Sequence, residues 1–185
     1  MQQELVRRAQ GGDHDAFCVL IRAALGRLYA TARLILGDQD RAEDAVQEAL
    51  MDAWRDIRGL RDPDRLDAWL HRLLVRSSHR VARRDRRRSL VEIPLTAEVD
   101  RAASDATAGL PQRDQMSRAF RRLTEDQRAV LTLFFYADLP LSDIAIALEI
   151  PVGTVKSRLS RATDALRAVI EAEERAPEFV MGPAR

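Results

Sequence analysis

The sequence predicts an all-α protein in which a flexible linker joins two small helical domains, an N-terminal bundle and a C-terminal helix-turn-helix domain. In the first 88 residues, apolar side chains recur at helical spacing along three long stretches. Residues 89–113 are rich in Pro, Gly, Ser, Thr and Ala and have weak periodicity, which is typical of linkers. Two shorter helical patterns follow and are separated at Pro151, because a proline disfavours helix at the residue before it. The predicted boundaries are 1–88 for the first domain, 89–113 for the linker, 114–171 for the second domain and 172–185 for a frayed tail.

The three N-terminal stretches carry their own start and stop signals. Asp13 or Asp15 caps the first helix, and Gly37 ends it. The second helix begins at Asp40, with Glu43 three residues later as a variant of the capping box. The third helix places large apolar residues on its inner side: Leu66, Trp69, Leu70, Leu73 and Leu74. Three such amphipathic helices suffice to bury one hydrophobic core.

The C-terminal pair of helices has the pattern of a helix-turn-helix. Its second helix begins near Val152, and the apolar residues that form its buried stripe are Val155, Leu159, Ala162 and Leu166. The opposite face carries small, hydroxyl and basic residues: Gly153, Thr154, Lys156, Ser157, Arg158, Ser160 and Arg161. Such a face supplies donors for phosphates and base edges on a rod that fits the major groove. We therefore predict DNA binding there, although periodicity alone is also consistent with a solvated basic face.

Charge is divided unevenly along the N-terminal domain, although the net charge of the whole chain is only +1. Residues 38–56 hold seven acids and two arginines, which taken alone indicates a solvated helix face. Residues 71–88 hold eight arginines and a single acid, Asp85. The run VARRDRRR at 81–88 would repel itself unless an anion neutralised it, so it predicts contact with a polyanion.

Several classes of protein are excluded by what the sequence lacks. One cysteine, Cys18, cannot form an internal disulfide or a cysteine-based metal cluster, and its apolar helical context predicts a buried thiol. No apolar run approaches a signal core or a membrane span, so we expect a cytoplasmic protein without membrane insertion. His14, His71 and His79 belong to no catalytic or metal-binding pattern, and we expect the last two on a solvated helix face. We therefore predict no enzymatic activity, no cofactor and no metal.

The motifs of both domains resemble those of bacterial RNA polymerase sigma factors of the extracytoplasmic-function (ECF) type. PVGTVKSRLSRA at 151–162, with its lead-in at 123–140, resembles region 4 of that family. DRAEDAVQEALMDAWR at 40–55 resembles region 2.2, and residues 66–88 resemble regions 2.3 and 2.4. The two motif sets occur in the family's order and cover most of the chain. The resemblance implies a transcription initiation factor that binds core RNA polymerase and promoter DNA, with an anti-sigma factor as a further candidate partner.

The resemblance also implies a role for each set of residues. Region 4 would contact the −35 element through the helix-turn-helix at about 141–160. Region 2.2 would dock on core polymerase through its polar face: Asp40, Glu43, Asp44, Gln47, Glu48 and Asp52. Regions 2.3 and 2.4 would contact the −10 element and its backbone through arginines: Arg72, Arg76, Arg80, Arg83, Arg84, Arg86, Arg87 and Arg88.

Four positions depart from the family pattern, of which Asp143, in place of the usual Glu of the first helix, is a mild change. Arg76 stands where the family usually has Asn, and Arg80 stands where it usually has an acidic residue. Both changes add positive charge that favours contact with the DNA backbone. Glu149 stands in the turn of the helix-turn-helix where Gly is usual. If that position requires φ > 0, the substitution costs on the order of 1 kcal/mol.

Two other classes of protein remain as alternatives to the initiation factor. A stand-alone helix-turn-helix regulator would need a dimerising or sensing domain, whereas this N-terminal bundle shows an acidic face beside a basic one. An adaptor that binds only protein would leave the basic face of the last helix unexplained.

The linker lacks the apolar periodicity needed to bind the two domains tightly. We therefore expect the domains to be either loosely tethered or packed face to face.

Overall fold

The computed structural model describes residues 1–91 and 111–175, and all regular structure in those two ranges is helical. Residues 1–91 contain α1 (Gln2–Gln10), α2 (His14–Leu36), α3 (Gln39–Asp56) and α4 (Leu66–Val91). Residues 111–175 contain α5 (Pro111–Arg121), α6 (Glu125–Leu131), α7 (Leu141–Leu148) and α8 (Val152–Arg175). The prediction of an all-α fold with two helical domains is confirmed.

The described helices extend beyond some of the predicted boundaries. Helix α4 continues to Val91 and α5 begins at Pro111, so helices occupy both ends of the segment predicted as a linker. The rest of that segment, 92–110, lies outside the described residues. Helix α8 continues to Arg175, and the remainder of the predicted tail, 176–185, also lies outside them.

The cap of α2 is as predicted, but the cap of α3 is not. Asp13 accepts a hydrogen bond from the backbone N–H of Ala16, and Gly37 ends α2 in the left-handed region at φ 70°. Helix α3 begins at an Asp38 cap rather than at Asp40, because Asp38 is extended at φ −142° directly after the glycine turn. Its carboxylate lies 2.9 Å from the backbone nitrogen of Arg41, which satisfies one of the free N–H groups of the first turn.

Helix α1 was not predicted from the sequence. It is only nine residues long, and its buried face consists of Val6 and Ala9, too few to show a period. Gln10 fixes its end by donating hydrogen bonds to the carbonyl oxygens of Ile57 and Leu60, at 3.1 and 2.7 Å. The N-terminal bundle is therefore built from four helices, and its core is formed by apolar side chains of α1 to α4, among them Val6, Leu20, Leu28, Val46, Leu73 and Leu74.

The C-terminal domain contains the predicted helix-turn-helix, α7 and α8. Thr124 and Gln127 form a capping box at the start of α6. A π-helical turn, Thr132–Tyr136, follows α6 and leads towards α7. The turn between α7 and α8 contains Glu149 at φ 56°, so the position does adopt the left-handed conformation that favours glycine.

The two domains pack against each other face to face. A second apolar core extends through both domains. It includes Ile35, Leu36, Ala45, Val75, Val81 and Ala82 on the N-terminal side and Leu123, Val130, Leu131, Leu133, Ile144 and Val155 on the C-terminal side. Helix α7 contacts α4, and α6 contacts α2. Of the two arrangements that the sequence left open, the structure has the packed one.

Candidate nucleic-acid interface

The second helix of the helix-turn-helix exposes most of the residues predicted to contact DNA. Val155 and Ala162 are fully buried against the rest of the domain. On the opposite side, Lys156, Ser157, Ser160, Arg161 and Gly153 are exposed, whereas Thr154 and Arg158 are half-buried. We call these seven residues the recognition face of α8. Their exposure leaves cationic and hydroxyl groups accessible along one side of the helix, as a groove-binding helix requires.

Local contacts orient several side chains of the recognition face. The Ser157 hydroxyl donates to the carbonyl oxygen of Thr154 at 3.0 Å, and Arg161 Nε donates to the carbonyl oxygen of Ser157 at 3.2 Å. Arg158 instead lies 3.6 Å from the carboxylate of Asp126 on α6. In this conformation Arg158 is therefore directed towards the domain itself rather than towards a groove.

The arginines predicted for −10 contacts all belong to α4, but most of those described are paired with acids. Arg76 Nη2 lies 2.5 Å from Glu149 on the turn of the helix-turn-helix. Arg80 lies 3.1 Å from Glu48 and 2.7 Å from Asp52, both on α3. Arg84 also pairs with Glu48.

The remaining arginines of α4 differ in exposure. Arg86 lies 3.4 Å from Glu125 on α6. Arg83 and Arg87 are exposed, while Arg72 is half-buried with Nε shielded from solvent. The side chain of Arg88 lies outside the described part of the chain. Arg83 and Arg87 are therefore accessible to a phosphate backbone in this arrangement.

The polar residues predicted for polymerase docking separate onto two sides of α3. Asp40, Glu43, Asp44 and Gln47 are exposed, and we call them the outer face of α3. The side chains of Glu48 and Asp52 are only 23% and 21% exposed, because they face α4. Burial alone would lower the pKa of Arg80, but hydrogen bonds to Asp52 and Glu48 outweigh it and raise that pKa. Glu48 and Asp52 of α3 thus neutralise Arg80 and Arg84 of α4.

His71 is buried, so its predicted place on a solvated helix face is wrong. Only 2% of the residue is exposed, and its Nδ1 donates to the carbonyl oxygen of Asp67 at 2.8 Å. Its Nε2 is buried without a hydrogen-bond partner among the described residues. Desolvation lowers the pKa of His71, so the neutral ring is favoured. The burial of His71 could have been predicted from the sequence, because the residue follows Leu70 and lies one turn after Asp67, on the inner side of the helix.

Cys18 and His79 also differ from expectation. Cys18 was predicted to be buried, but it is half-exposed, and its Sγ lies 3.4 Å from His14 Nδ1 at the start of α2. His79 is half-buried at the contact between the domains, where its Nε2 lies 3.6 Å from Asp126. Sequence reasoning identified Arg76 and Glu149 separately but missed that they meet, and it missed Arg128, which joins α6 to the end of α2.

Neither a metal site nor a membrane span is found in the described ranges. No group of three or more His, Cys, Asp or Glu side chains is arranged there to hold a metal ion. Within the same ranges, no helix combines the length and apolar character needed to cross a membrane.

Comparison with known proteins assigns both domains. The model of Sigma-70 region 2 matches residues 20–88, and that of Sigma-70, region 4 matches residues 113–166. The RNA polymerase sigma-H factor of Pseudomonas aeruginosa is 30% identical over 91% of this chain and 93% of its own length. The ECF RNA polymerase sigma factor SigM of Mycobacterium tuberculosis is 32% identical over 86% of this chain and 79% of its own.

A solved structure shares the arrangement of helices. The sigma factor RpoE from Bartonella quintana, in complex with the anti-sigma factor NepR, has a TM-score of 0.69 and 28% identity to this chain. The match covers 85% of this chain and 98% of that one. The two matched regions lie within the two helical domains, and the chain belongs to the ECF group of sigma-70 RNA polymerase sigma factors, the initiation factors that direct polymerase to promoters.

Proposed function

We propose a division of labour in which α3 docks on core RNA polymerase, α4 contacts −10 DNA and α8 contacts the −35 element. The recognition face of α8 is the observation that carries this proposal. It exposes Lys156, Ser157, Ser160 and Arg161 on the second helix of a helix-turn-helix, while Val155 and Ala162 hold the opposite side in the core. Arginine and lysine at such positions pair with guanine edges, and hydroxyl groups pair with phosphates or bases.

The outer face of α3 supports docking to a protein rather than to DNA. Its acids would repel phosphates, and the same side of the helix continues into Met51 and Trp54, which are 57% and 38% exposed. A groove of about 450 Å³ adjoins these two side chains and is lined in part by Ala9, Gly12 and Ile57. Large apolar side chains within a polar rim are typical of protein interfaces. We therefore extend the proposed docking surface to Met51 and Trp54.

The basic helix α4 requires an exchange of partners before all its arginines can contact DNA. In the free chain, Glu48 and Asp52 form ion pairs with Arg80 and Arg84. Both acids belong to the residues proposed to dock on polymerase. Docking of these acids on polymerase would release the two arginines towards the −10 backbone. Core binding and DNA contact by α4 would then be coupled through the same ion pairs.

The remaining features of the proposal concern chemistry and partners. Bond formation belongs to the polymerase, so we assign no catalytic residue and no cofactor to this chain. Because the protein would act on promoter DNA, we propose that it lies in the cytoplasm. Because the related RpoE was solved with an anti-sigma factor, we propose that a protein of that class also binds this chain.

Transcription from purified components tests the proposal. Core polymerase supplemented with this protein is expected to start transcripts at promoters that core alone ignores, and mapping these starts across the genome would define the −10 and −35 sequences. The free protein is expected to bind DNA weakly and with a strong dependence on salt, because its contacts are mainly arginine to phosphate. Tight, promoter-specific binding by the isolated chain as a symmetric dimer would instead support a stand-alone regulator.

A further inference from the structure

The contact between the domains is anchored by Arg128 of α6. Its Nε donates to the carbonyl oxygen of Ile35 at 2.6 Å, and its Nη1 donates to the carbonyl oxygen of Leu123 at 2.8 Å. Ile35 lies in the last turn of α2, where carbonyl groups lack partners within the helix and the helix dipole favours a cation. An arginine of the C-terminal domain therefore caps a helix of the N-terminal domain.

The anchor lies at the edge of a continuous apolar core. Ile35 is fully buried and Val75 is 2% exposed on the N-terminal side, while Leu133 and Ile144 are fully buried on the C-terminal side. Separation of the domains would expose this surface to water, which is unfavourable for each apolar side chain involved. The packed arrangement is therefore a stable state of the free chain and not an incidental contact.

Ion pairs surround this core, and they use the basic side of α4. Arg76 pairs with Glu149 at 2.5 Å, and Arg86 pairs with Glu125 at 3.4 Å. Each of these arginines belongs to the set proposed for −10 DNA, and each acid belongs to the C-terminal domain. The carboxylates thus occupy the places where phosphates would bind in a DNA complex.

Glu149 is in an unfavourable backbone conformation for its residue type. At φ 56° a glycine would be free of strain, whereas a residue with a side chain is not. The position nevertheless holds an acid whose carboxylate reaches Arg76 across the domain boundary. A charge retained at a strained position points to a role for that charge.

We propose that the C-terminal domain acts as an internal competitor of DNA, closed onto α4 by the Arg128 cap and by the Arg76–Glu149 pair. In the closed chain, Arg76 and Arg86 are occupied and unavailable for phosphates. Opening would release both arginines and free the C-terminal domain to reach its own DNA element. The inhibitory consequence rests on the proposed role of α4 in DNA binding, whereas the closure itself does not.

Closure can be measured on the full chain by energy transfer between two dyes. In a Cys18→Ser background, Arg22→Cys on α2 and Ala168→Cys on α8 place one dye on each domain, at exposed positions outside both proposed DNA surfaces. Energy transfer is measured at increasing urea concentrations, all of them below the concentration at which the helical circular dichroism signal is lost. Both partners of the Arg76–Glu149 pair are about half exposed, so the pair is expected to shift the ratio of closed to open chains by about two- to five-fold.

Single charge reversals, and a double variant in which the two charges are exchanged, test the ion pair itself. Glu149→Arg and Arg76→Glu are each expected to lower energy transfer at a given urea concentration, and the double variant, with the pair reversed, is expected to restore it. Arg128→Ala is expected to open the chain further, and its circular dichroism reports whether the domains remain folded. If Glu149→Arg and the wild type show the same transfer throughout the series, the pair does not hold the domains closed and the proposal is wrong.

Binding of a fluorescent 20-nucleotide single strand by the free chain tests the inhibitory consequence. Glu149→Arg is expected to bind several-fold more tightly than the control Glu171→Arg. The control makes the same change in charge at an exposed position, where Glu171 pairs along α8 with Arg175. Equal affinities of the two variants, together with an opened Glu149→Arg chain, would overturn the competitor and the role of α4 in DNA binding. The closure and the other proposed surfaces would still stand.

Discussion

His71 shows how one buried side chain makes the stability of the fold depend on pH. Its pKa is lowered in the folded protein by desolvation, whereas in the unfolded chain it lies near the ordinary 6.5. Below that pH the unfolded chain binds the proton more readily than the folded one, so the free energy of unfolding falls as pH decreases. Above it, both states hold a neutral ring and the contribution is constant.

Replacement of His71 by Leu should remove this dependence. The wild type is expected to show a lower Tm at pH 5.5 than at pH 7.5, and the difference should be smaller in His71→Leu because no buried ring remains to be protonated. His14→Gln, which removes a histidine at an exposed position of α2, is the control. A Tm difference that is the same in His71→Leu as in the wild type would show that other groups cause the acid instability.

Arg161 and Lys156 are the residues whose removal should alter DNA selectivity most directly. Arg161→Ala is expected to cost roughly 1–3 kcal/mol of promoter binding by the holoenzyme if Arg161 pairs with a guanine edge, with relaxed selectivity at that base. Loss of a phosphate contact would instead weaken all promoters alike. Arg167→Ala, at an exposed position of the same helix that pairs with Asp164, is the control. Unchanged promoter use by Lys156→Ala/Arg161→Ala would show that another surface contacts the −35 element.

At the scale of elements, α3 has two polar sides with different roles. Its outer face lies in solvent, while Glu48 and Asp52 face the arginines of α4. Helical geometry brings Gln47, Met51 and Trp54 onto one side, because positions three and four residues apart are neighbours. Trp54 contacts Phe17 edge-on with ring centroids 5.0 Å apart and remains 38% exposed.

The outer side of α3 should therefore determine affinity for core polymerase. Gln47→Ala/Met51→Ala is expected to weaken the complex about tenfold, since truncation of a central interface residue commonly costs more than 1 kcal/mol. Titration of core enzyme with labelled protein measures this affinity. Arg22→Ala, an exposed change on α2, serves as the control and should bind as the wild type does. Full affinity in the double variant would place the docking surface elsewhere.

At the scale of the whole molecule, the shared core changes what cleavage between the domains should do. The composition of residues 89–113 predicts protease access there, and α4 and α5 occupy its ends, so cuts are expected within 92–110. Because the domains share an apolar core anchored by Arg128, the two helical fragments should remain associated during gel filtration. In Arg128→Ala they should separate at lower urea concentration. Immediate separation of the wild-type fragments would show that the shared core does not hold the domains together.

Much of the fold and the position of the candidate site could be predicted because their signals are local. The Thr124–Gln127 capping box, the Gly37 terminus and the turn before α8 each depend on residues within a few positions of one another. The exposed side of α8 follows from the same periodicity that identifies its buried stripe. A short periodic element escapes this reasoning, as α1 did, because two buried residues do not define a face.

Contacts between distant residues were decided only by the tertiary structure. Arg76 and Glu149 are 73 positions apart, and Arg128 and Ile35 are 93 apart. No periodicity or spacing rule relates such pairs, since they meet only after each domain has folded and its apolar surface has found the other. The packing of α7 on α4 and of α6 on α2 brings these distant residues together. As a result, arginines predicted from the sequence to contact DNA form ion pairs with the protein's own carboxylates.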